Sequence, residues 1–517
     1  MKKPIILLSM IAALVVTGCQ TTPSASSSIG DDSSDSTSEN TSNEDSSSQK
    51  TSSSSQKTSS SSSSSQSSNS SSSWHDDYVP PEPHTYPGDN FTINIPADLS
   101  SMSANCKKYV DDMRAQQRKL IGEKGANADY YLNDLYGSNG VDLTKGITSG
   151  DNGGYRPANV QNDYLDSVTA RWEDGQKSDE NKGINITFTP SSSLQNKEYT
   201  ITYGKNADLS DAETISQSET TVNLKNLLVN QKYYFKVSAD GKDSDVVSFT
   251  TGDYPRWIDA RPMFNVRDHG GYMTSSGQRI KQGMVYRGGE ITPAVNWKSG
   301  SFYTGDVGGR YTGSDGRMQD GHITTQTNKS KGVFRNVMGM VGGLEIDLRS
   351  GASETGPSGQ SYTACGFANS GDIAYQLWPI SSYANGLNNS RSNIKKVFDA
   401  IAQADTKPVY YHCYGGADRT GTVGFLLGAM LGMSYTDLVI DFELTTYSSN
   451  PSRNYRSHLR NGPYNKWPEM VTALKNNYGF SSSKTIKQAA EDYLKNQCSV
   501  SQTTINKIRS IMLEPAE

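Results

Sequence analysis

Cys413 and Arg419 stand six positions apart in the run His412-Cys413-Tyr414-Gly415-Gly416-Ala417-Asp418-Arg419-Thr420-Gly421. A cysteine is a nucleophile only as its thiolate. Settings rich in backbone N–H groups and cationic side chains bring cysteine pKa values down to about 3.5–7.5. An arginine grips two oxygens of a phosphoryl group through its planar fork. A thiolate lying beneath an anion cradle and closed in by a guanidinium suits covalent phosphoryl transfer through a cysteinyl-phosphate. On this reading Cys413 is the nucleophile, and the loop Tyr414, Gly415, Gly416, Ala417, Asp418, Arg419 and Thr420 binds phosphate. The cysteines have no metal-site spacing, so neither metal nor cofactor is expected.

The flanking residues supply what such a pair needs for positioning. Val409 to His412 is short and β-prone, as a buried strand is. Cys413 to Asp418 carries two glycines and no apolar periodicity, which predicts a loop. From Arg419 the run Thr-Val-Gly-Phe-Leu-Leu-Gly-Ala-Met-Leu is apolar nearly all round, which predicts a buried helix. Strand, loop and helix N-terminus bring free N–H groups and the positive end of the helix dipole together at one point.

His412-Cys413, five residues, then Arg419-Thr420 resembles the signature of cysteine-dependent tyrosine and dual-specificity phosphatases. With Asp418 before the arginine and Gly421 after the threonine, it is similar to a narrower branch. That branch holds bacterial tyrosine phosphatases that also act on phosphoserine, phosphothreonine and phosphoinositides. Asn265-Val-Arg267-Asp268-His-Gly270-Gly271, Val285-Tyr286-Arg287-Gly288-Gly289-Glu290 and Asp347-Leu348-Arg349-Ser350 resemble further motifs of the same branch. The likeness runs from about Tyr254 to Leu513. It implies an α/β domain with a mostly parallel sheet, C-terminal helices, and a site at the carboxyl ends of the strands.

The resemblance also assigns roles. Many tyrosine phosphatases take their general acid from a mobile Trp-Pro-Asp loop, but here Trp378-Pro379 is followed by Ile380. The narrower branch implicates the aspartate within the phosphate loop, which corresponds to Asp418. Asp347 is the second candidate, with an alternative role of orienting Arg419 through a salt bridge. His412 would fix the loop, and the Thr420 hydroxyl would assist the thiolate. Some phosphoinositide-active relatives carry lysine where this chain has Ala417. Phosphotyrosine-type monoesters on proteins therefore come first as substrates, and phosphoinositide or inositol phosphates second. Two other classes stand as alternatives: a phosphate-binding surface module without turnover, and an arsenate or sulfur-transfer enzyme. The intact Cys413–Arg419 pair speaks against the first, and the branch-like flanks against the second.

The chain has 517 residues and a formal net charge of −5, with a pI near 5.8, so nothing points to nucleic acid. Lys2 and Lys3 precede an apolar run from Ile5 to Val16, shorter than the about 20 residues of a bilayer span. Residues 1–18 read as a signal peptide. The small residues before Cys19 resemble a lipobox, which implies lipidation of Cys19 and an extracytoplasmic, lipid-anchored protein at the cell membrane. Residues 19–89, rich in serine and then proline, read as a disordered tether. Residues 90–161 receive no assignment beyond partial helical character from Cys106 to Ile121.

Over residues 162–252 the apolar period becomes two: Ile184, Ile186 and Phe188, then Tyr199, Ile201 and Tyr203, then Tyr233, Phe235 and Val237. Such spacing predicts an antiparallel sandwich. The stretch Leu224 to Val237 resembles a fibronectin type III domain, which implies either a spacer or a module with a protein partner of its own. Residues 253–517 form the expected catalytic domain, interrupted by a Gly-, Asp-, Ser- and Tyr-rich insertion from Val295 to His322. Of five cysteines, Cys106, Cys365 and Cys498 leave room for one disulfide whose pairing the sequence does not set.

Overall fold

Alternating apolar residues before a turn, repeated along one segment, build sheets that need a second sheet to cover them. Continuous apolar runs between helices build a sheet buried on both faces. This chain contains both patterns. The computed structural model describes residues 82–124, 181–260, 265–289, 311–312, 318–319, 333–350, 373–413, 415–448, 466–479, 481 and 483–515. All lie within the unit Ser70–Glu517. The predicted signal peptide, Cys19, most of the tether, Tyr414, Cys365 and most of the 295–322 insertion lie outside the described residues.

In chain order the strands are β1 (His84–Tyr86), β2 (Phe91–Ile95), β3 (Ile184–Pro190), β4 (Tyr199–Gly204), β5 (Glu213–Gln217), β6 (Thr221–Leu224), β7 (Lys232–Ala239), β8 (Lys242–Asp243), β9 (Val247–Thr250), β10 (Arg267–Asp268), β11 (Val285–Gly288), β12 (Tyr311–Thr312), β13 (Met318–Gln319), β14 (Leu344–Asp347), β15 (Ala374–Leu377) and β16 (Val409–His412). The helices are α1 (Ala104–Lys124), α2 (Tyr383–Asn389), α3 (Arg391–Ile401), α4 (Asp418–Leu431), α5 (Tyr435–Glu443), α6 (Lys466–Tyr478), α7 (Ile486–Asn496) and α8 (Gln502–Met512).

Two antiparallel sheets share one apolar core. One runs β1-β2-β3-β6, the other β5-β4-β7-β8 with β9 also paired to β7. Inward residues such as Phe91, Ile186, Phe188, Ile201, Val222, Phe235 and Val237 fill the space between them. At the corner before β7, the Tyr233 hydroxyl accepts the Leu228 N–H at 3.0 Å. The sequence places the start of this unit at 162, but the structure draws in β1 and β2. Phe91 pairs with Pro190 and Ile93 with Phe188, so residues expected in the tether and the unassigned segment form an edge hairpin. The partner strand is about a hundred residues away, and local pattern carries no trace of that distance.

The second sheet has the order β10-β11-β16-β14-β15. β11, β16, β14 and β15 are mutually parallel, while β10 runs antiparallel to β11 at the edge. In register, His412 lies beside Gly288 on one side and Asp347 on the other. Three carboxyl ends therefore meet at the residue before Cys413. Behind the sheet, α4 is buried from Thr420 to Leu431, and α3 buries Ile394, Val397, Phe398 and Ile401.

Helix α1 belongs to this second body although in sequence it lies between β2 and β3 of the sandwich. Its Cys106, Tyr109, Val110 and Met113 join the core of the α/β domain. Arg114 reaches Asp437 on α5 at 3.2 Å and the Asp253 carbonyl at 2.6 Å. Cys106 and Cys498 are both buried, and no disulfide joins the two. Burial is the main cause pushing the Cys498 thiol up to about 11.

Candidate active site

Val409, Tyr410, Tyr411 and His412 are all buried, and the chain leaves the sheet at Cys413, itself 3% exposed. Helix α4 begins at Asp418. The loop between them is held from outside. Asn265, in a left-handed conformation (φ 59°), directs Nδ2 to the carbonyls of Gly415 and Gly416, each at 3.0 Å, and to Thr445 Oγ1 at 3.1 Å. Arg287 Nη2 donates to the Gly416 carbonyl at 3.1 Å. A trans peptide points its N–H opposite to its C=O. With both carbonyls tied outward, the N–H groups of Gly416 and Ala417 face the opposite side, toward the interior of the loop. That is the arrangement an anion cradle requires.

The loop must also lie close to β11. Gly416 has φ +64°, and a Cβ there would sit 2.4 Å from the Gly288 carbonyl carbon. Glycine is the residue that meets both conditions. Gly424, one α4 position that faces Arg287, would place a Cβ 2.6 Å from Nη1. The helix can approach the guanidinium only without a side chain.

Behind the loop lies a buried charge cluster. Arg267 donates to Asp441 Oδ1 at 3.1 Å and to the Asp441 carbonyl at 2.8 Å. It also holds Asn265 Oδ1. Arg287 pairs with the other Asp441 oxygen. Burial alone would raise the Asp441 pKa, but Arg287 and Arg267 outweigh it and hold the carboxyl at about 2. Thus one carboxylate fixes two arginines, and those arginines, with Asn265, fix the loop. Neither Asp441 nor its role was read from the sequence.

His412 bridges the strands as expected of a loop-fixing residue. Its Nε2 lies 3.0 Å from Glu345 Oε1 and its Nδ1 3.1 Å from the Cys413 carbonyl. Glu345 is a second buried carboxylate that sequence reading did not flag. Thr420 is fully buried, and its Oγ1 has no hydrogen-bond partner among the described residues. A hydroxyl so placed retains a donor for a thiolate or a phosphoryl oxygen. Arg419 is partly exposed at the second position of α4.

The two candidate acids have different surroundings. Asp347 accepts from Arg349 Nη2 at 2.6 Å, Arg349 Nε at 2.8 Å and the Tyr375 hydroxyl at 3.0 Å. Its ion-pair partner is therefore Arg349, two residues along, and not Arg419 as the sequence suggested. Burial opposes ionisation there, yet His412 and Arg349 bring the Asp347 pKa down to about 2. A carboxyl in that state has no proton to give at neutral pH. Asp418, half-buried at the first position of α4, accepts on Oδ1 from the Tyr383 hydroxyl.

A family model described as "Tyrosine phosphatase family" matches residues 258–298 and 366–514. The matched segments contain Asn265, Arg267, Arg287, the whole of 412–421 and Asp441, and leave β14 between them. No curated protein matches the chain. The α/β domain is thus tyrosine-phosphatase-like. The chain is an enzyme, a protein-tyrosine-phosphatase-like phosphoric monoester hydrolase.

Proposed function

We propose that the chain is an exported, membrane-tethered phosphatase that hydrolyses phosphotyrosine-type monoesters, and phosphoserine or phosphothreonine besides, through a cysteinyl-phosphate. The observation that carries this reading is the outward tethering of the Gly415 and Gly416 carbonyls, which turns the Gly416 and Ala417 N–H groups toward the interior of the loop. The Cys413 sulfur attacks phosphorus in line, forming S–P as the ester P–O bond breaks. Loop N–H groups and the Arg419 fork hold the equatorial oxygens as charge redistributes. Asp418 gives its proton to the departing oxygen, then takes one from the water that cleaves S–P, so the step sequence returns the enzyme unchanged. Ala417 leaves the loop without a lysine for extra phosphate groups, which favours monoesters over polyphosphorylated head groups.

The remaining parts of the proposal rest on sequence. A lipid on Cys19 would hold the mature protein at the membrane, residues from 20 to about 80 would act as its tether, and the fibronectin-like sandwich would carry the enzyme beyond it. The test is hydrolysis of para-nitrophenyl phosphate in EDTA by wild type, Cys413→Ser and Arg419→Lys. Turnover by wild type alone is expected, because an alcohol is a poor nucleophile here and a point charge cannot replace the fork. Activity lost to EDTA, or kept by Cys413→Ser, would overturn the mechanism.

A further inference from the structure

The segment where many tyrosine phosphatases carry a mobile acid is pinned in this chain. Trp378 N–H donates to the Asp347 carbonyl at 2.9 Å and Ile380 N–H to the Leu348 carbonyl at 3.2 Å. Ile380 is 6% exposed and part of the main core. Asn393 Nδ2 holds the Pro379 carbonyl at 2.6 Å, and Ser381 N–H is held by Ser390 Oγ at 2.8 Å. The segment ends at Tyr383, whose φ is +57°. A non-glycine residue in that region is strained and persists only where its surroundings over-determine it.

What over-determines Tyr383 is Asp418, approached from two directions. The Tyr383 N–H donates to Thr422 Oγ1 at 2.7 Å, and Thr422 Oγ1 donates to the Asp418 carbonyl at 2.9 Å. At the other end of the residue, the phenol donates to Asp418 Oδ1. The ring between them lies against Phe442, centroids 6.2 Å apart. Backbone and hydroxyl of one strained residue thus both converge on one aspartate.

We propose that Tyr383 is a positioning residue for the proton donor Asp418, supplied by the same segment that elsewhere supplies the donor itself. The proposal rests on the reading of Asp418 as general acid. With Oδ1 accepting from the phenol, the proton to be transferred resides on Oδ2. That O–H bond breaks as the P–O bond to the leaving group breaks, and the leaving oxygen keeps the bonding pair and gains the proton. Tyr383 keeps its own proton throughout and fixes the carboxyl plane.

The experiment compares wild type, Tyr383→Phe, Asp418→Asn and the double variant on phosphotyrosine peptide and on para-nitrophenyl phosphate. A poor leaving group needs its proton in the transition state and a good one far less. Since a general acid contributes about 10²–10⁴-fold, losing its alignment should lower kcat on the peptide roughly tenfold further than on para-nitrophenyl phosphate, with KM moved little. In the Asp418→Asn background the same change should add less than about twofold selectivity, because no proton is left to aim. Thr422→Val, which releases the Tyr383 backbone instead, should show the same selectivity as Tyr383→Phe. Equal losses on both substrates, or an effect undiminished in the Asp418→Asn background, would reduce Tyr383 to a structural residue. If Asp418→Asn itself lacks leaving-group selectivity, the assignment of Asp418 fails, and that outcome is distinct.

Discussion

Arg256 Nη1 lies 2.7 Å from Asp268 Oδ2, with both side chains buried, and this pair joins the sandwich to the catalytic domain. On its other edge Arg256 donates to the carbonyls of Asn226 at 2.9 Å and Leu227 at 3.2 Å, in the turn before β7. Asp268 also accepts the N–H groups of Gly270 and Gly283, at 2.8 and 2.7 Å. Its neighbour Arg267 holds Asp441 and Asn265. A continuous set of polar contacts therefore runs from the sandwich turn to the phosphate loop. Gln282 adds a second link, exchanging hydrogen bonds with the backbone of Val229 at 2.9 Å each way.

Removing one member of a buried ion pair leaves the other charge uncompensated, at a cost of about 3–5 kcal/mol. Arg256→Met should destabilise the protein by that order in denaturant titration, and by more than the half-buried Arg391 replaced in the same way. A loss under about 1 kcal/mol would show that the pair does not bind the two bodies together.

The Asp441 cluster offers a sharper case. Asp441→Asn leaves Arg267 and Arg287 facing one another with only a neutral amide between them. Stability should fall by about 3–5 kcal/mol. Because misplacement by about 1 Å can cost 10²-fold in rate, kcat/KM should drop by up to that factor in the fraction that remains folded. Activity unchanged at full folding would mean that the loop does not depend on these arginines.

Acid should weaken the fold before it protonates ordinary carboxylates. Burial is the main cause lowering the His269 pKa from 6.5 to about 3, against the opposing charge of Asp441. The folded ring stays neutral while the unfolded ring takes up a proton below 6.5. Between those two values the unfolded state binds more protons, so stability falls as pH falls, with a limiting slope of about 1.4 kcal/mol per pH unit. Below about 4, Asp347 and Asp441, both held at about 2, add to the loss in the same direction. Unfolding free energies measured at pH 7, 6 and 5 should decline, and His269→Gln should flatten the decline. A flat wild-type profile over that range would contradict this.

Much of the scaffold of the candidate site is legible because it is local. Strand, loop and helix are contiguous from Val409 to Leu431, and the face Ile394, Val397, Phe398, Ile401 shows its period within eight residues. What is not legible in the sequence depends on distant partners. β2 carries an ordinary alternation, but its partner strand β3 comes after an intervening helix. Asp441 is flanked by apolar residues in Leu438-Val-Ile-Asp-Phe442, and a buried carboxylate so placed calls for cationic partners. That clue was present in the sequence, though it does not say which cations. Tyr383 looked like any aromatic residue in a polar segment, since neither its left-handed backbone nor its contact with Asp418 leaves a local pattern.

Membrane attachment is testable apart from catalysis. Wild type should partition into the detergent phase and Cys19→Ala into the aqueous phase, as removal of the acyl chains removes about 0.8 kcal/mol of membrane affinity per methylene. Aqueous partitioning of both proteins would dismiss the lipid anchor.

Phosphate should pass through the sulfur of Cys413 on its way from ester to water. Wild type mixed with a radiolabelled phosphotyrosine peptide and quenched within a turnover should yield phosphate bound to protein, approaching one per chain if hydrolysis of the intermediate is slower than its formation. Peptide mapping should find it on Cys413, Asp418→Asn should alter how much accumulates, and Cys413→Ser should carry none. Labelling that survives in Cys413→Ser, or full turnover with no labelled protein at any quench time, would contradict the account.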